Sequence, residues 1–139
     1  MKTYKLNDLN NPLISVLMPA YNAEKYIKEA IESILNQTFS NFEFIIIDDG
    51  SIDATEEIIK SFKDSRIVYI KNEKNLGLIK TLNKGISIAR GEFIARMDSD
   101  DISMPQRFEL QLDVFKKYKG VDIVNVALKK MSEDGTKLS

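Results

Sequence analysis

Five short apolar segments, separated by stretches with helical spacing, limit what this chain can fold into. They are Leu13–Met18, Phe42–Ile47, Arg66–Ile70, Glu92–Met97 and Val121–Leu128. Each is too short and too continuously apolar to be a helix face, so each reads as a buried strand. Between the first two, Tyr26, Ile27, Ala30, Ile31, Ile34 and Leu35 recur with the period of a helix. A second helix is expected where Asp53 and Glu56 stand at capping-box spacing ahead of Ile58, Ile59 and Phe62. Ile79, Leu82, Ile86 and Ala89 form a third apolar stripe, with Gly91 as its C-terminal stop. Ser103-Met104-Pro105-Gln106 opens a fourth helix, with a capping serine and an early proline. The order β-α-β-α-β-α-β-α-β predicts an α/β domain, a mostly parallel sheet covered by helices on both faces. Residues 1–12 read as a polar lead-in and 13–139 as the domain.

In such a sheet, ligands bind beyond the carboxyl ends of the strands, at the point where strand order reverses. Three loops at those ends are chemically conspicuous: Pro19-Ala20-Tyr21-Asn22, Asp48-Asp49-Gly50-Ser51 and Asp98-Ser99-Asp100-Asp101. The last puts three carboxylates in four positions directly after a strand. Carboxylates that close repel one another, and a cation relieves the repulsion. Hard divalent cations take oxygen ligands, and Mg²⁺ commonly binds one or two carboxylates together with substrate phosphates. Asp98 and Asp100 can therefore divide the work between a sugar and a metal, with Asp101 left to cap the following helix. Two adjacent carboxylates, Asp48 and Asp49, end an Ile-Ile-Ile strand, where they can accept hydrogen bonds from a nucleobase imide or a ribose hydroxyl. Tyr21 can stack on a flat ring. Asn75-Leu76-Gly77 precedes the third helix, whose N-terminus favours a phosphate. Lys74, Lys80, Arg96 and Arg107 read mostly as solvated or paired charges, one of which can reach a pyrophosphate.

Composition narrows the chemistry further. The chain has neither cysteine nor histidine, so acid–base and metal chemistry falls to Asp, Glu, Lys or Tyr. A net charge of −1 gives no general attraction to nucleic acid. Neither a G-x-G-x-x-G fingerprint nor a P-loop lysine pattern occurs, so dinucleotide and P-loop sites are not supported.

Taken in order, Ile14–Asn22, Ser33-Ile34-Leu35-Asn36-Gln37-Thr38-Phe39, Ile47–Asp53, Asn75-Leu76-Gly77, Ala89-Arg90-Gly91-Glu92 and Arg96–Asp101 resemble the family 2 glycosyltransferases. The segment from Arg96 to Arg107 is similar to the bacterial branch that builds surface polysaccharides. The resemblance implies a GT-A fold: a Rossmann-like, three-layer α/β/α sandwich that transfers a sugar from a nucleotide diphosphate, a UDP-sugar by family frequency, to an acceptor hydroxyl with inversion. It further implies a nucleotide site drawn from Pro19, Ala20, Tyr21, Asp48, Asp49, Ser51, Lys80, Asp98 and Ser99. Within it Asp49 meets the base, Asp98 the ribose or sugar, and Asp100 a Mg²⁺ or Mn²⁺ ion on the diphosphate. The family's catalytic base and acceptor-binding elements lie well past its D-x-D, so the base is expected beyond Ser139. The chain then reads as a truncated, N-terminal donor-binding portion, itself inactive or nearly so.

The partners so implied are a nucleotide-sugar donor and a carbohydrate or lipid-linked acceptor, with no nucleic acid. The polar Met1–Asn11 stretch has no signal-like apolar core and no apolar run reaches membrane-spanning length, so the expected location is the cytoplasm, and the resemblance leaves the inner face of the membrane open to the parent protein. Other classes fit less well. A phosphoaspartate receiver or a dehalogenase-type phosphatase would carry its acidic residues after the first strand, which here ends Met-Pro-Ala-Tyr. A sugar-phosphate nucleotidyltransferase would need a Gly-rich basic loop at that point. A non-catalytic nucleotide-sugar-binding module is the closest rival.

Overall fold

The computed structural model describes residues 11–136; most of the lead-in and the last three residues lie outside them. Four strands and four helices alternate: β1 (Ile14–Ala20), α1 (Ile27–Leu35), β2 (Phe42–Asp48), α2 (Thr55–Ser61), β3 (Ile67–Lys71), α3 (Leu78–Ile88), β4 (Phe93–Arg96) and α4 (Arg107–Lys117). The sheet order is β3-β2-β1-β4, and all pairings are parallel. The expected α/β architecture is therefore present.

Side-chain alternation on the strands feeds two cores. Val16, Met18, Phe44 and Ile46 belong to one cluster with Ile27, Ala30, Ile31 and Ile34 of α1, Ile59 of α2 and Phe108 and Leu112 of α4. Leu17, Ile45 and Ile47 face the other way, against Leu82 on α3 and its neighbour Ala89. Strands buried on both faces lose the polar alternation of a surface strand, which is why β2 reads as an unbroken apolar run. The Gln37-Thr38 corner fastens the start of α4 to the end of α1. Gln37 Nε2 donates to the Met104 carbonyl at 2.8 Å, Phe108 N donates to Gln37 Oε1 at 3.2 Å, and Thr38 N donates to the Pro105 carbonyl at 2.9 Å.

Several local expectations are corrected. Val121–Leu128 forms no strand: no described strand pairs with it, and Ile123 and Leu128 are 79% and 83% exposed. An apolar pattern alone does not make a strand, because pairing rather than propensity completes one, and this segment pairs with none of the described strands. The Asp53/Glu56 capping box is absent. Asp53 instead accepts from Thr55 N and Glu24 N, and Glu56 turns away to Lys60 and Lys71, which hold its carboxyl down at about 2. Ser103 does not cap α4, which begins at Arg107. It is buried, its N–H donating to Ser33 Oγ and its hydroxyl accepting from Gln37.

Pro19 does not close β1, which runs on to Ala20. Leu17 directs its carbonyl to Met97 of the β4 side, and Ala20 directs its own to Asp49 on the β2 side. By alternation, the N–H that proline lacks would face β4, which has already ended at Arg96 opposite Leu17.

Gly91 is not a helix stop with positive φ. It is glycine because a Cβ there would lie 2.5 Å from Ser15 N and 2.7 Å from the Ile14 carbonyl carbon. This contact belongs to a buried lock. Ser15 Oγ donates to Glu43 Oε1 at 2.6 Å and accepts from Gly91 N at 2.8 Å. Arg90 N and Nε donate to the Glu43 carboxylate at 2.7 and 2.9 Å. The lock fixes where the chain re-enters the sheet as β4. Since the obstacle to a side chain at 91 is strand backbone, Gly91→Ala is expected to cost about 2–3 kcal/mol by overpacking. Urea unfolding reads this directly, and an unchanged midpoint contradicts the steric account.

Candidate functional site

The strand order reverses at β1, which lies between β2 and β4. The register sets Ala20, Asp48 and Lys71 level at the carboxyl edge, whereas β4 ends at Arg96 beside Leu17. That stagger opens the edge between β1 and β4, where the acidic loop begins.

The loops after β1 and β2 are stitched to each other. Asn22 adopts a left-handed φ of 47°, a conformation asparagine tolerates better than most residues. Its N–H donates to Ser51 Oγ at 2.9 Å, and its Oδ1 accepts from Ile52 N at 3.0 Å. Ala23 N donates to Thr55 Oγ1 at 2.8 Å, and Ala54 N to Glu24 Oε2 at 2.9 Å. Tyr21, 50% exposed, stands free at the rim. Pro19 is half-buried, and Ala20 is buried with its carbonyl held by Asp49 N at 2.8 Å.

Asp48 and Asp49 are adjacent but serve different ends. Asp48 is fully buried; its Oδ1 accepts from Ser51 N at 2.8 Å and its Oδ2 from the Tyr69 hydroxyl at 3.3 Å. Burial and the neighbouring Asp48 carboxylate raise the Tyr69 hydroxyl well above its ordinary range, so it stays a donor. Asp49, 5% exposed, gathers the loop ahead of α3. Its Oδ1 accepts from Asn72 Nδ2 and Leu76 N, both at 2.8 Å, and its Oδ2 from Gly77 N at 2.9 Å. Burial pushes this carboxyl up, but the donors outweigh it and hold it below the usual carboxylate range. Two amides that lead into α3 are thus committed to the protein's own carboxylate. Lys80, in the first turn of α3, is exposed with no ion-pair partner among the described residues.

After β4, Asp98, Asp100 and Asp101 each present a carboxylate oxygen, and these oxygens lie within 4.8 Å of one another. Ser99 is half-buried in the turn between them. Asp98 Oδ1 accepts from Arg96 Nη2 at 3.2 Å. Burial, then Asp100 and Asp98, raise the Asp101 carboxyl; Arg107 opposes them. Arg107 Nη2 also donates to the Arg96 carbonyl at 2.9 Å, so its guanidinium underlies the loop. The donor set, three hard oxygens with mutual repulsion, fits a Mg²⁺ or Mn²⁺ ion.

Asp101 was expected to cap a helix; its N–H instead donates to the Asp98 carbonyl at 3.2 Å, and its carboxylate joins the cluster. The Asp-Asp pair in the sequence carried that signal. Asn72 carried none, because its partners Asp49 and Lys84 are distant in sequence.

The Asp49 bonds give a testable sign. A carboxyl lowered in the folded protein contributes stability above its unfolded value of about 3.9, and that contribution is lost as pH falls through the folded value. Hydrogen exchange at Leu76 and Gly77 is therefore expected to lose protection on acidification below about pH 4. Asp49→Ala should remove that protection at neutral pH. Exchange unaltered in the variant would show that other contacts hold the loop.

Comparison with known proteins agrees with this geometry. The family model for glycosyl transferase family 2 matches residues 15–139. An uncharacterized glycosyltransferase of Methanocaldococcus jannaschii is 46% identical over 123 residues, covering 86% of this chain and 42% of its own length. WfgD of Escherichia coli, a UDP-Glc:α-D-GlcNAc-diphosphoundecaprenol β-1,3-glucosyltransferase, is 37% identical over 84% of this chain and 49% of its own. Among solved structures, S. aureus TarS in complex with UDP superposes with a TM-score of 0.71 at 30% identity, over 83% of this chain and 38% of that one. A Pyrobaculum calidifontis mannosyltransferase, 23% identical with a TM-score of 0.61 over 66% of this chain and 28% of its own, shares the fold. The chain thus spans less than half the length of these relatives. With its parallel α/β sheet of GT-A type and a family match over nearly all its length, the chain belongs to glycosyl transferase family 2.

Proposed function

We propose that this chain holds the donor site of an inverting glycosyltransferase, which moves a sugar from a UDP-sugar to an acceptor hydroxyl in surface-polysaccharide synthesis. The observation that carries the reading is the convergence of three strand-end loops on one sheet edge: an exposed aromatic ring, a buried carboxylate and a three-carboxylate cluster. TarS, similar in fold and sequence, has been solved with UDP and with UDP-GlcNAc. WfgD and the putative glycosyltransferase EpsE of Bacillus subtilis support the same class of chemistry.

In this reading Tyr21 stacks on the base, Asp49 accepts from its edge, and Pro19 and Ala20 form the floor beneath them. Asp48 and Ser51 act as posts that hold the turn. Asp98 and Ser99 meet ribose or sugar, Lys80 approaches the diphosphate, and Asp100, joined by Asp101, holds Mg²⁺ or Mn²⁺. The chemistry such a cation supplies is Lewis-acid neutralisation of the leaving nucleoside diphosphate. The acceptor oxygen forms its bond to the anomeric carbon as the bond to the diphosphate oxygen breaks, and attack from the opposite face inverts configuration. The acceptor's proton passes to a carboxylate base; none of the residues given to the donor is asked to serve as that base.

Isothermal titration with UDP, with and without Mn²⁺, tests the site. Binding is expected to need the metal, and Asp100→Ala is expected to weaken it by at least about tenfold, the loss of one charged ligand contact. Tight metal-free binding that Asp100→Ala leaves unchanged contradicts the assignment.

A further inference from the structure

We infer that Arg107 is the positioning residue of the acidic loop: from the first turn of α4 its guanidinium fixes the backbone ahead of Asp98 and supplies the standing positive charge that lets Asp98, Asp100 and Asp101 converge. The inference rests on the reading above in which these carboxylates hold a divalent cation.

Three carboxylate oxygens within 4.8 Å of one another repel, and something must hold the chain against that repulsion. Arg96 answers Asp98 alone, at 3.2 Å, and both side chains are about half exposed, so water screens the pair. Asp100 and Asp101 have no ion-pair partner among the described residues. Arg107 reaches under the loop instead. Its Nη2 donates to the Arg96 carbonyl at 2.9 Å, its Nη1 lies 3.6 Å from Met97 Sδ, and its Nε donates to Gln111 Oε1 at 3.2 Å. The Phe108 ring lies beside it, the centroid 5.5 Å from Cζ. No bonding partner of the guanidinium is a carboxylate, so its charge is not neutralised at one contact and acts on the cluster as a whole. Asp101 registers that charge: burial, Asp100 and Asp98 raise its carboxyl, and Arg107 lowers it.

Two features mark this arginine as serving the loop more than its own helix. Arg107 is the first residue of α4, where the helix dipole presents its positive end and a cation is disfavoured. Its side chain is also half-buried, whereas one kept for solubility would extend its head into water. A brace stands one turn further on. Gln111, which accepts from Nε, donates through Nε2 to the Val124 carbonyl at 3.0 Å. The far end of the loop has a separate hold, since Ser103 N donates to Ser33 Oγ at 3.0 Å and Gln37 Nε2 to the Met104 carbonyl at 2.8 Å. Arg107 is thus the clamp on the near end, where Met97 N and Asp101 N donate to the Leu17 and Asp98 carbonyls.

The test is amide hydrogen exchange followed by NMR on the parent chain, Arg107→Lys and Arg107→Gln, each with and without Mg²⁺. Without metal, Arg107→Gln is expected to speed exchange at Met97 and Asp101 by about tenfold or more, the scale of one lost hydrogen bond from a charged group. Arg107→Lys, which keeps the charge but not the fork, should speed it less. Saturating Mg²⁺ should return Arg107→Gln close to the parent, because the cation supplies the missing charge. Thr38, bonded to the Pro105 carbonyl, and Tyr118, at the end of α4, should exchange alike in all three proteins. Unchanged rates at Met97 and Asp101 in Arg107→Gln would overturn the inference. So would faster exchange that extends to Thr38 and Tyr118, or that Mg²⁺ fails to reverse although the parent binds it, since Arg107 would then only support α4. A parent that binds no Mg²⁺ by calorimetry defeats the metal reading, whereas the metal-free rates still decide whether Arg107 holds the loop. Should Arg107→Gln fail to fold, as judged by circular dichroism, Arg107→Lys decides on the same terms.

Discussion

Parallel pairing of β1 on both of its edges is the constraint on which the molecule depends. The strand is hydrogen-bonded to β2 along its full length and to β4 over its first half, and helices cover both of its faces. Two close approaches hold the neighbouring elements to it. A Cβ at Gly85 of α3 would meet Leu17 Cδ1 at 2.1 Å, and one at Gly91 would meet the strand's own backbone. With β1 so enclosed, the only parts of it left for chemistry are its ends, and the amino end is filled by the Ser15–Glu43–Arg90 lock. The carboxyl end, with the shorter β4 beside it, is what remains.

At that end the conspicuous polar residues divide into those that face inward and those that do not. Asp48, Ser51 and Asn22 are occupied with one another's backbones, and Asp49 with the loop before α3. Among the described residues no buried side-chain nitrogen or oxygen lacks a partner. Tyr21, Lys80 and Asp100 are exposed, the first two without a bond to the rest of the site. A polar group satisfied internally adds rigidity, whereas one still open can add affinity. The two sets together describe a scaffold with a few loose ends, and the loose ends lie along one rim.

Sequence pattern recovered the four paired strands, their helices and the loops at the carboxyl edge. Parallel pairing and side-chain burial follow from apolar runs that alternate with helices, whereas the order β3-β2-β1-β4 was not legible in the sequence. The parts that escaped are those decided by distant partners. Val121–Leu128 has the composition of a strand, but composition does not supply a neighbour. Gly91 looked like a helix stop because helix ends and close backbone contacts both select glycine. Asp53 and Glu56 had capping-box spacing, yet Lys60 and Lys71 compete for the glutamate and win it. At the candidate site, the placement of Asp98, Asp100 and Tyr21 at the carboxyl edge was legible from position after a strand. The Asn72–Asp49 bond was not, since it spans 23 residues and two loops.

One small feature bears on how a ligand would arrive. Gly50 has a φ of +79°, and a Cβ there would lie 2.8 Å from the backbone of both Lys74 and Asn75. The turn after β2 and the loop before α3 are therefore in direct main-chain contact, and the loop after β1 is laced to that same turn. Three segments that topology would let wander separately behave as a single wall. A wall assembled before any guest is present leaves little chain entropy to be lost on docking. In the donor-site reading, recognition on this side is then a matter of fit to a standing surface, and the shape of the guest, more than the compliance of the host, decides what is admitted.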